Sequence, residues 1–204
     1  MILYGRYVSP FVRRVGVWLG LQGRDYEHRP LLVAGDDLET IRAQNPVARV
    51  PILVLDDGTR LIETFAICDY LDETAPAGMR LIPASGPARL ASMQRMAMGQ
   101  STAEKAVALI YENNRRPEEF RWPEWRDRLT MQVRGGLAEL DRLAPEDGWS
   151  GEGGMDGGDI AAAVAYHFAE YSNPWLLEPG YPRLAALAER AMGIDAYART
   201  KPEA

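Results

Sequence analysis

The sequence predicts an α/β domain followed by an all-α domain, and three observations carry that reading. Through residue 75, short β-rich runs alternate with amphipathic stretches, and a hairpin signal separates two of the runs. Residues 76–87 (PAGMRLIPASGP) are crowded with Pro, Gly and Ala and have no period, as a linker does. From 88 to 204 strand signals stop, and apolar residues recur at helical spacing.

In chain order, Ile2 to Tyr4 is a short strand and Gly5-Arg6-Tyr7-Val8 a loop. Ser9-Pro10 opens a helix, with Ser at the cap and Pro at the first helical position, and Gly23 closes it. Val12, Val15, Trp18 and Leu19 form its apolar face. Tyr26 to Val33 reads as a strand that His28-Arg29-Pro30 makes an edge strand or ends early. Asp36 to Ala43 is a short amphipathic helix stopped by Asn45-Pro46. Ile52 to Leu55, the turn Asp57-Gly58 and Arg60 to Ile62 form a hairpin, and a helix follows from Thr64 to about Thr74. The order β-α-β-α-β-β-α is that of a thioredoxin-like domain.

Beyond the linker, Pro87 to about Asn114 and Pro123 to Leu143 are long helices. Gly135-Gly136 inside the second marks a close helix crossing, since glycine costs a helix about 1 kcal/mol relative to alanine. Asp159 to Phe168 is apolar nearly throughout and must be buried. Asp156, three residues ahead of Asp159, has the form of a capping box. Tyr181-Pro182 to Met192 and Ile194 to Arg199 are shorter helices.

Composition excludes several functions. A net charge of −6 disfavours nucleic acid and anionic membranes as partners. No apolar run reaches the ~20 residues of a membrane span. The N-terminus has no basic-then-apolar leader, so a cytoplasmic location is expected. One cysteine, Cys68, and two histidines leave no internal disulfide, no CxxC pair and no soft-metal cluster, so no metal is expected. Cys68 is expected to be a small buried hydrophobe.

The most informative stretch is Asn45 to Leu71, NPVARVPILVLDDGTRLIETFAICDYL. Pro51 cannot donate to a sheet ladder and belongs at the start of its strand. A cis Val50-Pro51 bond would turn the N–H and C=O of Val50 outward, available to an extended peptide lying alongside. Thr64, expected at the cap of its helix, and the free N–H groups behind it would seat a carboxylate. Glu63 would accept from an ammonium. The segment therefore offers a ladder for a peptide backbone, a seat for a carboxylate and a partner for an amine.

This segment resembles the thiol-peptide half of the glutathione transferases, with the pattern N-P-x-x-x-[VI]-P-x-L, a hairpin, then [EQ]-S and a helix. The resemblance extends over about residues 1 to 200. It implies glutathione as co-substrate, with Glu63, Thr64, Val50, Pro51 and Phe11 along the peptide. Arg49, where many relatives have Lys, would reach the glycine carboxylate. Glu63-Thr64 departs slightly from the usual pair, but the hydroxyl is kept. The Ser9-Pro10-Phe11 motif is similar to that of serine-type members such as the tau and omega classes, and implies that Ser9 activates the thiol. Free thiols ionise near pH ~8.5, and lowering that by about 2 units takes ~2.7 kcal/mol of stabilisation. A helix N-terminus and a donated hydroxyl proton are the means available. Ser9 is also readable as an ordinary helix cap, and Tyr7 as a rival thiol donor. A structural ion pair is expected for at least one of Arg13 and Arg14.

For the second substrate the resemblance implies an apolar electrophile or a peroxide, with Tyr7, Val8, Met98, Thr102 and Tyr111 as pocket candidates. It also implies a homodimer. The alternative is a non-catalytic glutathione- or ligand-binding, or protein-interaction, module of the same fold.

Overall fold

The structure is a computed structural model describing residues 1–202. It divides into two compact units, Met1–Leu81 with Met192–Ala204, and Ile82–Ala191.

The first unit contains β1 (Ile2–Tyr4), α1 (Pro10–Leu21), β2 (Glu27–Arg29), α2 (Leu38–Gln44), β3 (Ile52–Val54), β4 (Arg60–Ile62), α3 (Thr64–Glu73) and the last short helix, α8 (Asp195–Ala198). The sheet order is β2-β1-β3-β4. β1 runs parallel to β2, with Leu3 opposite His28, and antiparallel to β3, with Leu3 opposite Leu53. β3 and β4 form the hairpin, Leu53 facing Leu61. The expected β-α-β-α-β-β-α order is therefore present. β2 is shorter than 26–33 because Pro30 follows its third residue and cannot extend the ladder. Leu3, Val15, Trp18, Leu53 and Ile67 are fully buried between sheet and helices.

The second unit contains α4 (Gly86–Asn114), α5 (Pro123–Leu143), α6 (Gly157–Ser172) and most of α7 (Pro182–Met192). Leu129, Val133, Leu137 and Leu140 keep helical spacing along α5 and are buried against Leu109 of α4 and Ala165 of α6. Both predicted backbone devices are present. A Cβ on Gly136 would run into the side chain of Thr102, so α5 crosses α4 there at a distance only glycine permits. Asp156 accepts from the Asp159 N–H at 2.9 Å, and Asp159 accepts from the Asp156 N–H at 3.3 Å, completing the capping box.

The tail is the main difference from the expected 1–75, 76–87 and 88–204 division. Residues 192–202 group with the first unit, where α8 packs on α1. Gly20 of α1 has no Cβ because Ala196 lies 3.0 Å from where it would be. Fully buried Tyr197 lies beneath the Arg13 guanidinium, 4.5 Å from ring centre to Cζ. Sequence periodicity marks such a helix but says nothing of which partner it buries against. No helix among the described residues is long and apolar enough to cross a membrane.

Candidate active site

Ser9 caps α1 with extended backbone (φ −72°, ψ 121°), and its Oγ accepts from the Val12 N–H at 3.5 Å. Its main chain is tied on both sides, N–H to Arg6 O at 3.0 Å and C=O from Arg13 N–H at 2.9 Å. Because Oγ is the acceptor in the cap, the hydroxyl proton is left to donate outward. That proton is available at the positive end of a 12-residue helix. Phe11 is half-buried two residues on.

Val50-Pro51 is cis, Pro51 is buried and Val50 half-buried. Among the described residues, the Val50 N–H and C=O make no hydrogen bond. Asn45, 3% exposed, staples this loop by donating to Arg49 O at 2.9 Å and accepting from Val47 N–H at 3.1 Å. Arg49 is exposed.

What brings Ser9's helix to Val50 is Gly5. It has φ +112°, and a Cβ there would lie 2.6 Å from Val12 Cγ2 and 2.8 Å from Val50 Cβ. The first turn of α1, the end of β1 and the residue before Pro51 meet at a point with room for no side chain. Nothing in the sequence around Gly5 distinguishes it from an ordinary strand-end glycine.

At α3 the cap position falls on Glu63, and Thr64, expected as the cap, is the first helical residue and 1% exposed. The displacement has a backbone cause, since Glu63 takes φ +72° and turns the chain into the helix one residue early. A left-handed conformation costs a side-chain-bearing residue about 1–2 kcal/mol. Glu63 is exposed, and its carboxylate does not cap the helix. The first intrahelical bond is Ile67 N–H to Glu63 O at 3.0 Å, which leaves the N–H groups ahead of it open to a ligand.

Tyr7 is placed differently from Ser9. Its ring stacks on His28, centroids 3.9 Å apart, and its hydroxyl lies 2.6 Å from that of Tyr26. Burial, then the Tyr26 contact, pushes the Tyr7 phenol far above its ordinary value. Val8 is half-buried in the loop between them. Arg13 has no carboxylate partner among the described residues and contacts Thr200 Oγ1 (3.4 Å), Met192 Sδ (3.7 Å) and the Tyr197 ring. The ion pair expected of this pair of arginines is therefore not on Arg13. Arg14 lies over Phe65 at 5.7 Å. Cys68 is fully buried.

Of the pocket candidates on the helical unit, Met98 packs against the helical core. Thr102 is 2% exposed, donates to Met98 O at 2.8 Å and faces Gly136 in the helix crossing, so a packing constraint occupies it. Tyr111 is exposed, with Arg115 4.8 Å above its ring. No group of three or more His, Cys, Asp or Glu that could hold a metal ion occurs among the described residues.

Comparison with known proteins agrees with the fold and its order. Residues 3–79 match the family model "glutathione S-transferase, N-terminal domain", and 123–190 match "glutathione S-transferase, C-terminal domain". A maleylacetoacetate isomerase of Pseudomonas aeruginosa is 28% identical over 99% of this chain and 96% of that protein. A glutathione S-transferase of Methylobacterium radiotolerans, solved with glutathione sulfonate, superposes with a TM-score of 0.91 at 25% identity, covering 100% of this chain and 95% of that one. One from Methylobacillus flagellatus with bound glutathione gives 0.90 at 26% identity, covering 99% of each chain. With both halves of the fold matched in sequence and the whole chain matched in structure, this protein belongs to the glutathione S-transferase family.

Proposed function

We propose that the protein binds glutathione along the Val50 edge and uses Ser9 to hold its sulfur as a thiolate for attack on an electrophile. The observation that carries this reading is the meeting at Gly5 of the Ser9 helix and Val50. The cysteinyl backbone of the peptide pairs with the Val50 N–H and C=O, extending the sheet edge. Its γ-glutamyl carboxylate sits at the start of α3 by Thr64, its ammonium on Glu63 and its glycine carboxylate on Arg49. The sulfur then lies at the mouth of α1, where the Ser9 hydroxyl donates to it and the helix field favours negative charge. The thiolate forms a carbon–sulfur bond to an electrophilic carbon, and the leaving group departs with its electron pair. With a peroxide instead, the sulfur attacks one oxygen, the O–O bond breaks with its electrons on the departing alkoxide, and a second glutathione turns the resulting sulfenic acid into glutathione disulfide and water. This reading takes Ser9 as the donor over Tyr7, whose hydroxyl is paired with that of Tyr26 and whose ring is stacked on His28. The expected homodimer, and a pocket for the apolar electrophile near Tyr7 and Val8, belong to the same proposal.

A second reading is favoured by the name of the Pseudomonas relative. In a glutathione-dependent isomerisation the thiolate adds to an activated double bond, the adduct rotates, and the sulfur leaves again with its electrons. The same thiolate site serves both reactions.

Ser9→Ala tests the shared step. Loss of one donor to the developing charge is expected to lower kcat on a model aryl halide about 10²-fold while leaving glutathione affinity within a few-fold. Unchanged kcat would remove Ser9 from the mechanism. Net consumption of glutathione separates conjugation from isomerisation, which regenerates it. Calorimetry with glutathione, showing no binding at about 1 mM, would leave only a non-catalytic module.

A further inference from the structure

The chain reaches Ser9 through a turn that starts at Arg6 and is closed by the Ser9 N–H to Arg6 O bond at 3.0 Å. We propose that His28, on β2, is a positioning residue for Ser9, holding this turn so that the Ser9 hydroxyl meets the glutathione sulfur. The inference rests on the thiolate role given to Ser9 above.

The cap bond alone does not fix that hydroxyl. At 3.5 Å the Val12 N–H to Ser9 Oγ contact is at the long limit of a hydrogen bond and constrains Oγ weakly. The placement of Oγ therefore follows the main chain that delivers it, and the loose point of that chain is Gly5. Its N–H is tied to Arg29 O at 2.9 Å, and its Cα is wedged against Val12 and Val50. The peptide plane after it is not restrained by its own residue, because glycine rotates about its backbone bonds more freely than any other. His28 supplies the restraint. Its Nε2 lies 2.8 Å from Gly5 O, and since a carbonyl only accepts, Nε2 carries the proton. Among the described residues no other group bonds to that carbonyl.

The same imidazole holds the turn at a second place. It stacks on Tyr7, inside the turn, with ring centroids 3.9 Å apart and planes 18° apart. A Cβ on Gly16 of α1 would come within 2.6 Å of Tyr7 Cε1, so the ring is pinched between His28 and α1. One side chain thus grips the entry and the middle of the turn, and Ser9 is its exit. The Val50 edge is anchored separately, through the two bonds of Asn45, and does not depend on His28. His28 itself is half-buried on a three-residue strand at the edge of the sheet, so replacing it leaves the core of the unit intact.

Two replacements separate its contacts. His28→Phe keeps a ring on Tyr7 and loses the donor, whereas His28→Gln keeps an N–H donor and loses the ring. The readouts are the pH midpoint of the bound glutathione thiol, followed by thiolate absorbance in the ultraviolet, and kcat and KM on a model aryl halide. His28→Phe is expected to raise the midpoint by about 1 pH unit and to lower kcat at neutral pH about tenfold, with KM for glutathione within about twofold. His28→Gln should lie closer to the parent on both. In a Ser9→Ala background His28→Phe should change neither, because the group it positions is gone. A merely structural loss would lower activity equally in both backgrounds. A parental midpoint in His28→Phe, an equal shift in His28→Gln, or a full further loss in the double variant would each overturn the inference. Ser9→Ala alone separates it from the reading it rests on. A parental midpoint there refutes the thiolate role of Ser9 and this inference with it. A raised midpoint there, beside a parental one in His28→Phe, refutes only the role of His28.

Discussion

Glu63 holds a backbone conformation that an L side chain adopts at a cost, in the stretch where the proposed glutathione ammonium would need an acceptor. Under the proposed function, stability and binding are set against each other at that residue. Glu63→Gly removes the left-handed penalty and is expected to leave the folded state as stable or up to about 1 kcal/mol more stable. It should also weaken glutathione binding about tenfold or more, because a hydrogen bond to a charged group is lost. Glu63→Ala keeps the backbone cost and loses the carboxylate, so it should weaken binding without the gain in stability. Urea unfolding with glutathione titrations checks both signs, and a Glu63→Gly chain that binds normally would remove Glu63 from the ammonium site. Cys68 supports a different expectation. Burial, partly offset by the Arg14 charge, pushes its thiol up to about 11. A group whose folded pKa is raised contributes stability that is intact below its unfolded value. That contribution is lost as pH climbs toward about 11, so Cys68 weakens the fold only in alkali. At pH 8 an aromatic disulfide reagent should reach Cys68 only through unfolding, at a rate that rises with denaturant. Rapid modification of the native protein would contradict this.

At the scale of elements, local signals were legible wherever the chain's own backbone satisfies them. Ser9-Pro10 reads as a helix start because the cap and the missing proline N–H are both short-range facts, and α1 begins there. Asp156 and Asp159 read as a capping box for the same reason. What sequence could not supply was the second partner of such a group. Asp156 Oδ2 also accepts from Arg95 Nη2 at 2.6 Å, with the two side chains 5% and 12% exposed. Sixty-one residues separate them, so no pattern of spacing foretells the pair. The cap is accordingly also half of a buried ion pair. Asp156→Ala should cost about 3–5 kcal/mol, more than the ~1 kcal/mol of a cap alone, because it strands the Arg95 charge. Adding Arg95→Met should restore a substantial part of the loss. A single-mutant cost near 1 kcal/mol in chemical denaturation would show that the pair contributes little. Gly5 at the candidate site and Thr102 in the helix crossing illustrate the same limit. Each is defined by what lies across from it, Val50 with Val12 in one case and Gly136 in the other.

For the molecule as a whole, the change from mixed to purely helical pattern was enough to place two units in sequence. It was not enough to return the last residues to the first one. α8 is four residues long and has no amphipathic signal that could choose between partners. Its place follows from α1, where Gly20 admits Ala196 and the Arg13 guanidinium covers Tyr197. The first unit is thus completed by residues more than a hundred positions away from the rest of it in sequence. Tyr197 is completely buried, and truncating an aromatic side chain in such a site costs about 3–5 kcal/mol. Tyr197→Ala should therefore destabilise the first unit, and the tryptophans report where the loss falls. Trp18 is the one tryptophan of that unit, while Trp122, Trp125, Trp149 and Trp175 lie in the other. In 5-fluorotryptophan-labelled protein the Trp18 resonance of Tyr197→Ala should lose its native position at lower urea than in the parent chain. If its midpoint does not move, the tail is an appendage and α1 is complete without it.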